Sequence, residues 1–284
     1  MRARRACSLR GTRHTSNQPC YRTRQRFCLR AQADVDSNDW LLVSPTAHSA
    51  LLALARRVSN TCDGAATRYP TSFDTLSSPN GGGALRVQNV FWHSSSVRKA
   101  HVELAVSDTL GLTVLHVVLF PHTALDLPVF GLDVVAFGPR ITLALVDVCP
   151  TRADRSLPRA LEECCQQLAA ESLSLPRRET PAWAASIFSS HALVCAPSTA
   201  EQIELFCCHA ERLLNAYVEE ARACLVAEAS ALQPRALASE IQAGVNAFCE
   251  LNLQNDKTRR ILVTALGQDV GDRYMRECMF DPVN

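Results

Sequence analysis

Three ionisable side chains, Glu103, His116 and Asp133, lie in the middle of three successive apolar segments. The segments are HVELAV (101–106), LTVLHVVLF (112–120) and LDVVAF (132–137). Strands this apolar are usually covered on both faces, where a charged group is costly unless it is paired or used. Two carboxylates and an imidazole in one apolar pocket shift one another's pKa, so the row predicts a site that handles protons near neutral pH.

The three segments can form a meander that brings the row together. Short turns at 107–111 and 122–126 would make the strands antiparallel neighbours, with the three residues at the same height. A register slip of one residue would move a member of the row to the other face.

Each residue of the row also has a simpler interpretation. A lone histidine on an apolar strand is more often a hydrogen-bonded core residue than a catalytic one. Glu103 could pair with Lys99 or Arg98.

The elements around the row indicate an α+β fold, a three-layer α/β/α sandwich whose central antiparallel sheet is flanked by helices. Strands are predicted at 85–92, 99–106, 112–120, 132–137 and 141–148, with a further candidate at 191–196. Helices are predicted at 37–60, 157–172, 235–253 and 257–279, and a long one follows a capping box formed by Ser198 and Glu201. Residues 63–83, rich in Pro, Ser, Thr and Gly, are predicted to be a linker.

The first 35 residues differ in composition from the rest. Residues 1–33 contain nine arginines and no acid, whereas the 284-residue chain has a formal net charge of +1. An Arg-rich, hydroxylated, acid-free leader is typical of a plastid transit peptide, with cleavage near residues 30–36 and a single domain at 36–284. The alternative is a disordered basic arm that binds an acidic partner.

No motif for a bound cofactor competes with the row. The 13 cysteines include no C-x-x-C pair, so zinc or iron–sulfur ligation is not indicated and reduced thiols are expected. G-x-G-x-x-G, the P-loop and G-x-S-x-G are absent from the sequence. If the chain catalyses a redox reaction, its electrons are expected to come from outside.

Three longer stretches resemble the ferredoxin-dependent bilin reductases over about residues 85–283. They are FPHTALDLPVFGLDVVAFG (120–138), VDVCPTRADRSLP (146–158) and QNDKTRRILVTALG with DRYMRECMFD (254–281). The resemblance implies biliverdin held between the sheet and the C-terminal helices, with no bound flavin or metal. It also implies single electrons from an external reduced [2Fe–2S] ferredoxin and protons from the protein.

The same resemblance assigns catalytic roles to four residues. Glu103 matches the acid beside the D-ring vinyl group, and His116 matches the partner of the central aspartate. Asp133 matches that aspartate, which protonates the bilin near its lactam oxygens. Asp256 matches a carboxylate near the A-ring, on the helical side.

Four further residues are expected to bind the substrate. Lys257 and Arg178 match positions that hold the propionates, since a dianionic substrate needs cations. Thr142 is expected to donate a hydroxyl to a propionate, and His101 shares the face of Glu103. For Lys257, Arg259 and Arg260, the alternatives are a solvated basic face or a docking face for acidic ferredoxin.

Glu103 together with His116 favours the family members that reduce biliverdin IXα by four electrons to phycocyanobilin, vinyl group first and A-ring second. The alternatives are a sister reductase that makes phytochromobilin or phycoerythrobilin, and a non-catalytic bilin carrier on the same scaffold. The protein is expected to be a monomer of the plastid stroma, without nucleic-acid binding or membrane insertion.

Overall fold

An eight-stranded antiparallel sheet forms the middle layer of the protein. The computed structural model describes residues 44–79, 85–180, 182–230 and 235–283. The strands are β1 (Thr67–Tyr69), β2 (Thr75–Ser77), β3 (Arg86–His93), β4 (Val97–Ser107), β5 (Leu112–Pro121), β6 (Val129–Phe137), β7 (Arg140–Cys149) and β8 (Leu193–Cys195). Strands β3 to β8 are neighbours in chain order, and β1 and β2 both pair with the outer edge of β3.

Helices cover both faces of this sheet. They are α1 (Ser49–Asp63), α2 (Arg159–Glu171), a 3-10 helix (Ala182–Ser186), α3 (Ala200–Ser230), α4 (Arg235–Leu253), α5 (Asp256–Leu266), α6 (Gln268–Arg273) and a π-helical turn (Tyr274–Met279). No helix in the described part of the chain is both long and apolar enough to cross a membrane.

The two apolar cores lie on opposite faces of the sheet because side chains alternate along each strand. On one face α1, α2 and α3 share a core with residues such as Leu115 and Val134. On the other face α4, α5 and the π-helical turn share a core with residues such as Val118 and Phe120. The predicted α/β/α sandwich is therefore confirmed.

Three local predictions differ from the structure. The segment predicted as a linker contains β1 and β2 where it is described, two strands too short and polar to show alternation. The helix predicted at 257–279 is interrupted at Gly267, whose φ of 88° ends α5. Helix α3 begins after Thr199, whose hydroxyl accepts from Gln202 N–H at 3.3 Å, so the capping box is not the one predicted. The predicted leader lies outside the described residues.

Helix α4 approaches the sheet closely at Gly244. A β-carbon at Gly244 would lie 2.6 Å from the carbonyl carbon and 2.7 Å from the Cα of Thr151, which follows β7. Backbone atoms cannot move aside as a flexible side chain can. Glycine is therefore what allows α4 to pack against the end of β7.

We expect Gly244→Ala to lower the free energy of unfolding by roughly 1–3 kcal/mol, because overpacking outweighs the better helix propensity of alanine. Chemical denaturation measures the change. Gly64→Ala is the matched control: Gly64 has a φ of −75°, and the nearest atom to its added β-carbon is at 3.5 Å. An unfolding free energy of Gly244→Ala equal to that of the wild type would contradict the packing argument.

Candidate active site

Glu103, His116 and Asp133 lie level on three neighbouring strands, as the sequence predicts. Glu103 of β4 pairs with His116 of β5, and His116 pairs with Asp133 of β6. The row extends to Asn89 of β3, which pairs with Glu103, and to Leu145 of β7, which pairs with Asp133. Residues paired in an antiparallel sheet share a face, so the row crosses five strands on the side of α4 and α5.

On the face that carries the row, the side chains become more exposed from β4 towards β7. Asn89 and Glu103 are each only 4% exposed. The half-buried residues of this face are on β5 to β7: Val114, His116, Gly131, Asp133, Val135, Leu143 and Leu145. On the opposite face, Leu115, Leu132, Val134 and Val146 are all at most 1% exposed. The half-buried stretch of β5 to β7 can therefore receive a flat apolar ligand.

A chain of short hydrogen bonds holds Glu103. The Tyr274 hydroxyl lies 2.6 Å from Glu103 Oε2 and 2.6 Å from Asn89 Oδ1. Asn89 is oriented by its amide Nδ2, which donates to Phe73 O at 2.6 Å, so its Oδ1 must accept. His101 Nε2 lies 2.8 Å from the same Oδ1 and therefore donates to it.

Both contacts of the Tyr274 hydroxyl can be hydrogen bonds at once when Glu103 is protonated. The Tyr274 hydroxyl has one proton for two acceptors. If Glu103 carries a proton, it donates to the Tyr274 oxygen, and Tyr274 then donates to Asn89. Burial raises the pKa of Glu103 to about 7, the hydrogen bond from Tyr274 lowers it, and the charge of Asp133 raises it. Glu103 therefore exchanges its proton near neutral pH.

The pKa values of His116 and Asp133 are shifted in opposite directions. Burial, aided by the charge of Lys99, lowers the pKa of His116 to about 4, so the imidazole is neutral at pH 7. Burial raises the pKa of Asp133 to about 6, and the charge of Lys257 opposes this shift. His116 Nε2 is buried with no hydrogen-bond partner among the described residues. The Phe280 ring stands edge-on to the imidazole, 6.0 Å between centroids.

Glu103 is not neutralised by Lys99 or Arg98, so that simpler interpretation is wrong. Lys99 Nζ donates to Cys278 O at 2.7 Å and pairs with Asp281. Arg98 pairs with the other oxygen of Asp281 at 2.6 Å. Both cations thus tie β4 to the C-terminal segment. Lys99 still acts on the row, because its charge lowers the pKa values of His101 and His116.

The helical side brings one predicted residue close to the row. Lys257, exposed in the first turn of α5, is near enough to Asp133 for its charge to lower the pKa of that carboxyl. Asp256 is also exposed in that turn, which Asn255 caps by accepting from Lys257 N–H at 3.2 Å. Arg259 is held by Asp272 at 2.7 and 2.9 Å, so its charge is compensated.

The remaining predicted substrate-binding residues are spread over the sheet. Thr142 lies at a β-bulge of β7, and its hydroxyl donates to Val135 O at 3.1 Å. The guanidinium of the exposed Arg178 donates to Thr142 O, so these two residues are neighbours. His101 is fully buried, with its ring stacked on Phe91 at 4.7 Å and edge-on to His116 at 6.1 Å, and hydrogen bonds link it to Glu103 through Asn89 and Tyr274.

Asn89 and Tyr274 belong to the site but are not predicted from the sequence. Asn89 interrupts the apolar run VQNVFW, which is a usable signal, because a polar side chain mid-strand needs a partner. Tyr274 lies within the motif DRYMRECMFD, but its contact with Glu103 spans 171 positions of the chain. The part of the chain that the structure describes has ten cysteines as thiols and no cluster of three or more potential metal ligands.

The fold and the row define a cluster of buried and half-buried titratable side chains on one face of an α/β/α sandwich. A family model described as ferredoxin-dependent bilin reductase matches residues 52–281. The chain belongs to this family, and it is an oxidoreductase.

Relatives and a solved structure agree with this assignment. Phycocyanobilin:ferredoxin oxidoreductase of a Synechococcus species is 37% identical over 207 residues, 70% of this chain and 77% of the relative. The enzyme of the same name from Trichodesmium erythraeum is 34% identical over 205 residues, 72% of this chain and 79% of the relative. The crystal structure of tomato phytochromobilin synthase in complex with biliverdin shares the fold, with a TM-score of 0.62 at 14% identity, and the match covers 81% of this chain and 82% of that one.

The raised pKa of Glu103 predicts a pH-dependent penalty on stability. Between its ordinary value of 4.5 and about 7, the folded protein binds more protons than the unfolded chain, so the unfolding free energy falls as pH rises. We expect Glu103→Gln to gain stability relative to the wild type over this interval, by on the order of 3 kcal/mol at most. Denaturation at a series of pH values measures the difference in unfolding free energy between Glu103→Gln and the wild type. A gap that is the same at every pH would show that Glu103 does not titrate in this range.

Tyr274→Phe tests the hydrogen bond to Glu103. Because that bond lowers the pKa of Glu103, its loss is expected to raise this pKa further. In the Tyr274→Phe background, the stability gap between Glu103 and Glu103→Gln should stop growing at a pH above 7. Tyr217→Phe is the matched control, since Tyr217 is fully buried in the opposite core. An equal shift in both variants would contradict a specific role for Tyr274.

Proposed function

We propose that this protein reduces biliverdin IXα to phycocyanobilin with four electrons from reduced ferredoxin. The observation that carries the proposal is the level row of Glu103, His116 and Asp133. Their pKa values are about 7, 4 and 6, and they lie beside an open sheet face. The relatives named phycocyanobilin:ferredoxin oxidoreductase match 70% or more of this chain. The [2Fe–2S] ferredoxin acts as an external donor, in keeping with a family that is ferredoxin-dependent.

The residues of the row supply the protons for this reduction. Each of the four electrons adds to the bilin with one proton, so two double bonds are reduced. Glu103, with a pKa of about 7, donates to the D-ring vinyl group, which is reduced first. Asp133, with a pKa of about 6, donates near the lactam oxygens, and the neutral His116 passes protons to and from it. Asp256 donates on the A-ring side.

Cations on both sides of the row bind the propionates. Lys257 faces Asp133 from α5, and Arg178 sits beside Thr142 at the bulge of β7. Both cations are exposed, so they can hold carboxylates at the rim while the tetrapyrrole lies on the apolar face. Arg178 can offer two parallel N–H groups to one carboxylate. The Thr142 hydroxyl would need to turn from Val135 O to contact a propionate.

A sister reductase that makes another bilin is the nearest rival function. The tomato structure shares only the fold at 14% identity and so does not favour that product. A non-catalytic carrier is a rival of a different class. Three ionisable groups under an apolar face would be a cost without a use in a carrier.

The composition of the leader supports a proposal about where in the cell the protein acts. We propose that residues 1–35 are a transit peptide and that the protein acts as a monomer in the plastid stroma, where ferredoxin is reduced. The support is the composition alone, nine arginines without an acid in residues 1–33. Terminal sequencing of the protein isolated from its own cells is expected to start near residues 30–36. A mature protein that retains Met1 would contradict this location signal.

The decisive assay is anaerobic turnover of biliverdin with reduced ferredoxin, followed by product chromatography. Phycocyanobilin is the expected product, and Glu103→Gln is expected to stall with the D-ring vinyl group unreduced because its donor is lost. Glu163→Gln is the control, since Glu163 is exposed on α2 and paired with Arg159 at 2.7 Å. Phytochromobilin or phycoerythrobilin as the end product would favour the sister reductase, and tight biliverdin binding without turnover would favour the carrier.

A further inference from the structure

Gly131 lies in the middle of β6, two residues before Asp133 and on the same face. It pairs with Val118 of β5 and with Asp147 of β7. A β-carbon added at Gly131 would meet no atom within 4 Å. Its φ is not among the positive values, which among described glycines occur at Gly111, Gly138 and Gly267. Neither the backbone conformation nor the packing in this structure therefore requires glycine.

Glycine in this position is unfavourable for the strand. It loses more conformational freedom on folding than any other residue, and it buries no side chain. Glycine inside a strand often marks a place where a ligand or another backbone approaches closely. Because no backbone lies above Gly131 within contact distance, the remaining explanation is a ligand.

The neighbours of Gly131 cannot fill the space above it by changing rotamer. Val118 is 1% exposed and belongs to the core under α4. Asp147 is 1% exposed, and both its carboxylate oxygens are held by Ser189, one by the backbone N–H at 2.7 Å and the other by the hydroxyl at 2.5 Å. The uncovered backbone of Gly131 is thus flanked by the immobile side chains of Val118 and Asp147, and it lies next to Asp133, the central proton donor.

We propose that Gly131 is a specificity-determining residue that lets a flat conjugated tetrapyrrole lie directly on the backbone of β6. This inference rests on the proposed function. A planar ring system can stack on a peptide plane, whereas a branched side chain at Gly131 would lift the ring away from Asp133. Proton transfer depends steeply on such distances, so the missing side chain sets both binding and donor geometry.

Biliverdin titration, followed by absorbance, tests the proposal in Gly131→Ala and Gly131→Val. We expect Gly131→Val to weaken binding by at least about tenfold and Gly131→Ala to weaken it less, since a few added carbons in a fitted pocket change discrimination by such factors. Gly131→Ala should melt no lower than the wild type, because its added β-carbon meets no atom of the described residues within 4 Å and glycine is unfavourable inside a strand. Higher stability with weaker binding is a combination that a purely structural glycine would not give. Gly64→Ala, remote from the row, should change neither quantity.

Two results would overturn the proposal. Biliverdin binding by Gly131→Val with wild-type affinity would show that the bilin does not lie on this backbone. A fall in melting temperature for Gly131→Ala would show that glycine is kept for packing. If the wild-type protein itself fails to bind biliverdin, the proposed function falls and this inference with it. Wild-type binding with an unaffected valine variant would reject only the inference.

Discussion

The burial of the Glu103 carboxyl group is the constraint on which the site depends. A carboxylate inside an apolar sheet is expensive, and no cation among the described residues pairs with Glu103, since Lys99 and Arg98 are both directed to Asp281. Burial itself raises the pKa of Glu103 to about 7, and the hydrogen bond from Tyr274, which also contacts Asn89, opposes this shift only in part. The C-terminal π-helical turn therefore has a chemical role, because it places the Tyr274 hydroxyl over β4. The proton that Glu103 keeps near pH 7 is the one that a reduction can use.

One face of the sheet mainly supplies packing, and the other face carries the titratable row. The face under α1 to α3 is closed, and it supplies packing energy through apolar side chains in the middle of β4 to β7. The face under α4 and α5 tolerates Glu103, His116 and Asp133 and leaves part of β5 to β7 uncovered. The closed face can thus stabilise strands whose other side carries costly groups. Gly131 fits the same division, since a glycine weakens the strand on the face that carries the row.

Much of the sheet could be predicted from sequence because alternation and short turns are local signals. The level row depends on the tight β4–β5 connection at Gly111, where φ is 59°, and on the β5–β6 connection at 122–128. The short strands β1 and β2 escape prediction because three residues cannot show a period.

The contacts that tune the row escape prediction for a different reason. Tyr274 meets Glu103 across 171 positions, and Lys99 meets Cys278 across 179. No local pattern encodes such pairs. The same limit explains why the sequence leaves Lys99 open as an alternative partner of Glu103, although the partners of Lys99 lie at the other end of the chain.

The protonation state of Glu103 is the most direct test of this account. Infrared difference spectroscopy of the wild type against Glu103→Gln isolates the carbonyl stretch of this one carboxylic acid. We expect the carbonyl band of Glu103 to be present in mildly acidic solution and to disappear with a midpoint near the pKa of about 7. A band that is already absent at pH values near 5, as for an ordinary glutamate, would contradict it.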